Sequence, residues 1–166
     1  MTQAEFVQLI REHNGLIQKV CNLYAATLQD RQDLYQEIII QLWRAVPKFR
    51  GDSKLTTWMY RVALNTAISD YRKQQRMVPT AEIDLINREL ADHDRGGDEE
   101  EKLKLMYDAI RHLSEVEKAL VMLYLDDKPY EEMEDILGIN QNNLRVKMNR
   151  IREKLRQLTK AETYGT

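Results

Sequence analysis

The sequence predicts an all-α protein of two small helical domains joined by an acidic tether. Three observations carry that expectation. Only six Gly and three Pro punctuate the 166 residues, leaving long runs that favour helices over sheets. Apolar residues in those runs recur at helical spacing, as a helix with one buried face requires. Two Ser/Thr-x-x-Glu patterns, Thr2 with Glu5 and Ser114 with Glu117, have the form of capping boxes that open helices. A hydrophobic content of 43% is enough for packed cores, and the length suits one domain or two small ones.

The elements follow in order. Thr2 opens a first helix whose apolar positions include Phe6, Leu9, Ile10, Ile17, Val20 and Leu23. Asp30 is the expected N-cap of a second helix, which Pro47 ends because its ring cannot sit in a helix interior. KFRGDS (48–53) is a loop, and a third helix runs from about Lys54 to Arg76, completing a first domain over 1–76. Residues 77–100 lose apolar periodicity, are acidic and carry Gly96-Gly97, the pattern of a flexible or weakly helical linker. The second domain, 101–166, starts with a helix through KLKLMYDAIRHL, and the Ser114–Glu117 box opens EVEKALVMLYL. Then come a short helix, YEEMEDIL, a turn at Gly138-Ile139-Asn140, and a long helix from about Gln141 to Leu158.

Charge is unevenly spread. The chain has 25 basic and 27 acidic residues, yet residues 1–76 are net +4 and 140–166 net +5, around a middle that is −5 over 77–107 and −6 over 108–139. Two basic blocks of this kind suit a polyanion better than the near-neutral total suggests. One cysteine excludes an internal disulfide framework and fits a reducing compartment. No apolar run reaches the ~20 residues that cross a bilayer, and the polar N-terminus is no secretory signal. The expectation is a soluble, cytoplasmic protein without membrane insertion.

The last helix explains where the positive charge goes. RVKMNRIREKLR (145–156) sets six Lys/Arg against Glu153 alone. At about 100° per residue, Leu144, Met148, Ile151, Leu155 and Leu158 fall in one arc of about 80°. Opposite lie Asn142, Arg145, Val146, Asn149 and Arg150. Arg pairs with guanine edges and Asn with adenine edges in a major groove, while Lys147, Arg152, Lys154 and Arg156 suit phosphates. A solvated amphipathic helix would show a similar wheel. The short helix and glycine turn before it make the helix-turn-helix reading the better one, with Asn140 as N-cap of the reading helix.

The third helix has a second basic face. Lys54, Arg61, Asn65, Ser69, Arg72 and Arg76 share an arc that also holds Trp58. An indole among Arg and Asn suits stacking on an unpaired base, the alternative being a tryptophan that closes the core. The loop before it, Phe49-Arg50-Gly51-Asp52-Ser53, could hold a flipped base. This domain suits melted DNA, whereas the other reads duplex.

No catalytic constellation is present. Cys21 could pair with His13 as a nucleophile, but it keeps the rhythm of Ile17, Val20, Tyr24 and Leu28, as a packed thiol does. His13, His93 and His112 lack metal-ligand spacing, and there is no Gly-rich phosphate loop. The expectation is no catalytic residue, no metal, no cofactor, and no enzyme.

DRQDLYQEIIIQLWRAVPKFRGDSKLTTWMYRVALNTAISDYRKQQR (30–76) resembles region 2, and LSEVEKALVMLYLDDKPYEEMEDILGINQNNLRVKMNRIREKLRQL (113–158) resembles region 4, of the extracytoplasmic-function sigma factors of bacterial RNA polymerase. The resemblance implies a sigma region 2 helical bundle and a region 4 helix-turn-helix. It implies that Asp33, Gln36, Glu37 and Gln41 grip core RNA polymerase. Phe49, Arg50, Asp52, Ser53, Lys54, Trp58, Arg61, Asn65, Arg72 and Arg76 would recognise and melt the −10 element of promoter DNA. Asn142, Asn143, Arg145, Val146, Lys147, Asn149 and Arg150 would read the −35 element. An anti-sigma factor is a further implied partner. Two positions depart from the family. Glu134 stands where a small residue is usual, which would splay the helix pair or turn the carboxylate outward. Pro129 replaces the usual Ser or Thr cap. The competing reading is a helix-turn-helix regulator that acts on duplex DNA without polymerase; a helical protein that holds another regulator would leave both basic faces unused.

Overall fold

The computed structural model describes residues 1–77 and 98–164, and all regular structure among them is helical. The helices sort into two compact units. None of them is long and apolar enough to cross a membrane. Most of the expected linker, residues 78–97, lies outside the described residues.

The first unit contains α1 (Gln3–Glu12), α2 (Asn14–Tyr24), α3 (Leu28–Ala45), a single 3-10 turn (Val46–Lys48) and α4 (Leu55–Met77). The Thr2 box forms: the Glu5 amide donates to Thr2 Oγ1 at 3.2 Å, and the Thr2 amide donates to the Glu5 carboxylate at 2.7 Å. The helix expected to continue to Leu23 breaks at His13 (φ −112°, ψ 22°). Asn14 and Gly15 follow, both poor helix formers, so the break falls where helix is locally least favoured. The cap of the next helix is Thr27 rather than Asp30. Thr27 has the extended backbone that a cap needs, and its Oγ1 accepts from the Asp30 amide at 3.1 Å. Asp30 thus sits in the first turn, where the helix dipole favours a carboxylate. Pro47 falls in the 3-10 turn, just past the end of α3.

Within this unit α2 and α3 pack on each other and on α4, while α1 packs on α2. The core contains Phe6, Leu9, Ile17, Val20, Leu34, Ile38, Leu42, Met59, Ala63, Leu64 and Ala67. Ile10 and Leu23 are only half-buried. Leu28 leaves the expected rhythm: α2 ends at Tyr24, so Leu28 begins α3 with 65% of its surface exposed. Cys21 is fully buried, and burial pushes its thiol up to about 11. A thiol that resists ionisation is a packing group rather than a nucleophile at neutral pH.

The remaining helices are α5 (Asp98–Arg111), α6 (Glu115–Leu125), α7 (Tyr130–Leu137) and α8 (Gln141–Tyr164), and all but Asp135–Leu137 of α7 fall in the second unit. Helix α5 starts inside the segment expected to be linker, and α8 outlasts its expected end because no Gly or Pro falls between Leu158 and Tyr164. Both α5 and α6 pack on α8, and Ile110, Leu113, Leu120, Leu123, Met133, Leu144, Met148 and Ile151 are buried. The Ser114 box forms as expected, with both reciprocal hydrogen bonds at 3.2 Å. Helix α7 ends in Gly138, whose φ of +70° is left-handed and whose amide donates to the Glu134 carbonyl at 2.8 Å. A methyl group there would meet nothing within 4 Å. Gly138→Ala should therefore destabilise the unit through backbone strain alone, by about 1–2 kcal/mol, checked as a lower midpoint in urea unfolding.

Candidate nucleic-acid and partner interfaces

On α3, Asp33, Gln36 and Glu37 are exposed and Gln41 is half-buried. They border two grooves. Asp33, Glu37 and Gln41 line a groove against Asn65, Thr66, Ser69 and Asp70 of α4, whereas Gln36 lines a separate one with Gln18 and Asn22 of α2. Gln41 donates to Glu37 at 2.9 Å, and Gln29 donates to Asp33 at 3.0 Å, which holds both carboxylates in place. Burial raises the Asp70 carboxyl above its ordinary range, and the nearby Asp30, Glu37 and Asp33 add to the rise against the opposing pull of Lys73. Asn65, which the helical wheel groups with the basic residues of α4, thus opens into an acidic groove.

The loop before α4 turns at Gly51, where φ is +77°. Arg50 and Asp52 are exposed, while Phe49 and Ser53 are half-buried. Lys54, Arg61, Asn65, Arg72 and Arg76 all lie on the surface. Trp58 does not. Only 8% of it is exposed, and the Phe49 ring lies 5.0 Å away at a 39° tilt. The expectation of an open stacking platform is corrected: the indole belongs to the core and Phe49 covers it. The wheel places Trp58 beside Arg61, but the loop folds an aromatic ring back over that stretch of the helix.

In the second unit the two faces of α8 separate as the spacing requires. Leu144, Met148 and Ile151 are buried, and Leu155 and Leu158 are half-buried. Asn142, Asn143, Arg145, Val146, Lys147, Asn149 and Arg150 are all exposed. Asn140 is the expected cap, its Oδ1 accepting from the Asn142 amide at 2.8 Å. Pro129 precedes α7 in an extended conformation without a side-chain cap, and the Met133 amide donates to its carbonyl at 3.0 Å. Glu134 is only half-buried, and the residue that goes inside is its neighbour Met133.

The basic residues of α8 have different employments. Arg152 donates to the Tyr124 hydroxyl at 2.6 Å, and its guanidinium lies 4.9 Å over that ring. Lys154 reaches both Glu117 oxygens, at 3.1 and 3.3 Å. These two, expected on phosphates, also tie α8 to α6. Arg145 lies over Tyr130, 5.0 Å from its centroid. Tyr124, Glu117 and Tyr130 escape sequence reasoning because no local spacing rule links them to α8. Burial opposes ionisation of Glu117, but hydrogen bonds from the Ser114 amide, Lys154 and the Ser114 hydroxyl outweigh it and hold its carboxyl below the ordinary range. Among the described residues no cluster of His, Cys, Asp or Glu could hold a metal ion.

Comparison with known proteins places these features. Residues 9–77 match the Sigma-70 region 2 family and residues 103–155 match Sigma-70, region 4. The ECF RNA polymerase sigma-E factor of Escherichia coli K12 is 32% identical over 75% of this chain and 71% of its own. Its namesake in Haemophilus influenzae gives the same identity and coverage. Among solved structures, the sigma factor RpoE bound to the anti-sigma factor NepR from Bartonella quintana has a TM-score of 0.70 at 18% identity, covering 94% of this chain and 97% of that one. CnrH in complex with the cytosolic domain of CnrY has a TM-score of 0.68 at 19% identity, covering 96% and 90%.

Two outcomes follow from these contacts. Trp58→Ala should destabilise the first unit by about 3–5 kcal/mol, the cost of emptying a buried aromatic site, seen as a lower thermal midpoint. A folded-state carboxyl that ionises below its usual range adds stability above that range and loses it as pH falls through the folded value. Glu117→Gln should therefore flatten the acid limb of stability against pH from the ordinary carboxylate range downward, and leave its slope near neutrality unchanged.

Proposed function

The chain belongs to the extracytoplasmic-function sigma factors, and from that membership we propose that it directs core RNA polymerase to promoters, with separate parts for the −10 and −35 elements. In this reading residues 1–76 form the region 2-like domain, 101–166 the region 4-like domain, and 77–100 the tether between them. The observation that carries it is α8: one side is buried, and the other presents Asn142, Arg145, Val146, Asn149 and Arg150 together. That set matches what base edges in a major groove accept. Asn143 and Lys147 lie at the margin, suited to the sugar-phosphate backbone. The basic surface of α4, Arg61, Arg72 and Arg76, with Lys54 just before it and the Phe49–Ser53 loop, would take the −10 element. Trp58 would contribute by supporting Phe49, and any stacking of its own would require that ring to move aside.

The exposed acids of α3 suit a protein partner better than DNA, since carboxylates repel phosphates. Asp33, Gln36, Glu37 and Gln41 are assigned to core polymerase. The protein acts in the cytoplasm, where polymerase is, and supplies no catalytic group of its own. The solved structures of the same fold, one bound to an anti-sigma factor and one to a cytosolic domain, support an anti-sigma partner here.

The test is co-purification with core polymerase followed by promoter-directed transcription. A regulator that works on duplex DNA alone would bind its site without polymerase, and that result would sink the proposal. Reversing Asp33 and Glu37 to Arg should abolish holoenzyme assembly while keeping the fold, because both are exposed and both raise the neighbouring Asp70 carboxyl. Their replacement relieves repulsion in the groove. Unchanged polymerase affinity in the doubly reversed, still-helical protein would remove these residues from the interface.

A further inference from the structure

We propose that Tyr130 is a positioning residue that sets the Arg145 guanidinium for base reading, an inference that rests on the −35 assignment above. Tyr130 is the first residue of α7 and Arg145 lies early in α8, so the contact bridges the two helices of the helix-turn-helix. The guanidinium carbon is 5.0 Å from the ring centroid. Arg145 Nη1 also donates to Asn142 Oδ1 at 3.4 Å, and the Asn142 amide donates to Asn140 Oδ1 at 2.8 Å. Cap, asparagine and tyrosine therefore converge on one side chain.

The kind of contact matters. A carboxylate partner would consume the N–H edges that a guanine needs, whereas an aromatic ring covers the face of a guanidinium and leaves its in-plane donors available. Lys154 shows the contrast, since its ammonium is spent on the Glu117 carboxylate; Arg145 commits only Nη1, to Asn142, and its other four N–H groups are not held by an acid. For Arg145 the stack removes rotamer freedom before DNA arrives, and a side chain already ordered loses less on binding. The half-buried ring of Tyr130 gives that stack a fixed base.

The experiment uses full-length protein with core polymerase and competition binding to promoters that carry each base at each −35 position. Arg145→Ala first maps the base pair that Arg145 reads. Tyr130→Leu, or Tyr130→Met should Leu fail to fold, is expected to lower selectivity at that one base pair by about two- to five-fold, the value of an exposed cation–π contact. Tyr130→Phe should keep selectivity. Tyr130→Leu combined with Arg145→Ala should lose no more than Arg145→Ala alone. A uniform loss at every position would make Tyr130 merely structural and overturn the inference. So would additive losses in the double variant, or a loss in Tyr130→Phe equal to that in Tyr130→Leu, which would put the hydroxyl itself on DNA. If Arg145→Ala changes no base preference, the −35 assignment fails first, and the inference falls with it.

Discussion

A long helix with one buried stripe can take only one rotation about its axis, and each unit is organised around such a helix. In α8 the fully buried Leu144 and Ile151, with Met148 between them, face α5 and α6. Turning the helix by one residue, about 100°, would bring Arg145 or Lys147 into the core, at a desolvation cost that no partner there offsets. The exposed arc is therefore fixed as firmly as the core. In α4, Met59, Ala63, Leu64 and Ala67 play the corresponding part against α2 and α3, which keeps Arg61 and Arg72 at the surface.

Features set by short-range chemistry were legible in the sequence. Both capping boxes, the stop near Pro47, the glycine turn and the two faces of α8 depend on residues within a few positions of one another. Even there, near-equivalent signals compete. Thr27 and Asp30 are both good cap residues, and only the backbone conformation at Thr27 settles which one serves. Contacts between distant segments were not legible. A wheel gives Trp58 its angle on α4 but cannot say that Phe49 folds over it. The same wheel counts Arg152 and Lys154 as available cations, although Tyr124 and Glu117 on another helix already engage them.

The charge pattern of the chain gains a finer meaning from these contacts. Positive charge on α8 divides by position: the first turns carry groups that face outward, and farther along Arg152 and Lys154 fasten the helix to α6. Glu117 is the point of attachment, capping its own helix while binding Lys154. Part of the acidity in the middle of the chain is thus structural, there to order a basic helix, and of these two cations only Lys154 has its charge offset by an acid.

The α3–α4 groove has the opposite character, since its charges are not mutually satisfied. Asp30, Asp33 and Glu37 all raise the half-buried Asp70, and Lys73 opposes them only in part. Stability alone would favour replacing one of these acids, because like charges at helical spacing are destabilising. Their concentration is readily understood if a cationic partner surface completes the groove, consistent with the assignment of Asp33, Glu37 and Gln41 to polymerase. Asn65 then stands at a border: its neighbours on the wheel are Arg61 and Arg72, but the groove it lines is acidic. A phosphate approaching Asn65 would meet Glu37 and Asp33, so in the proposed reading the strip of α4 offered to DNA is narrower than the wheel suggests.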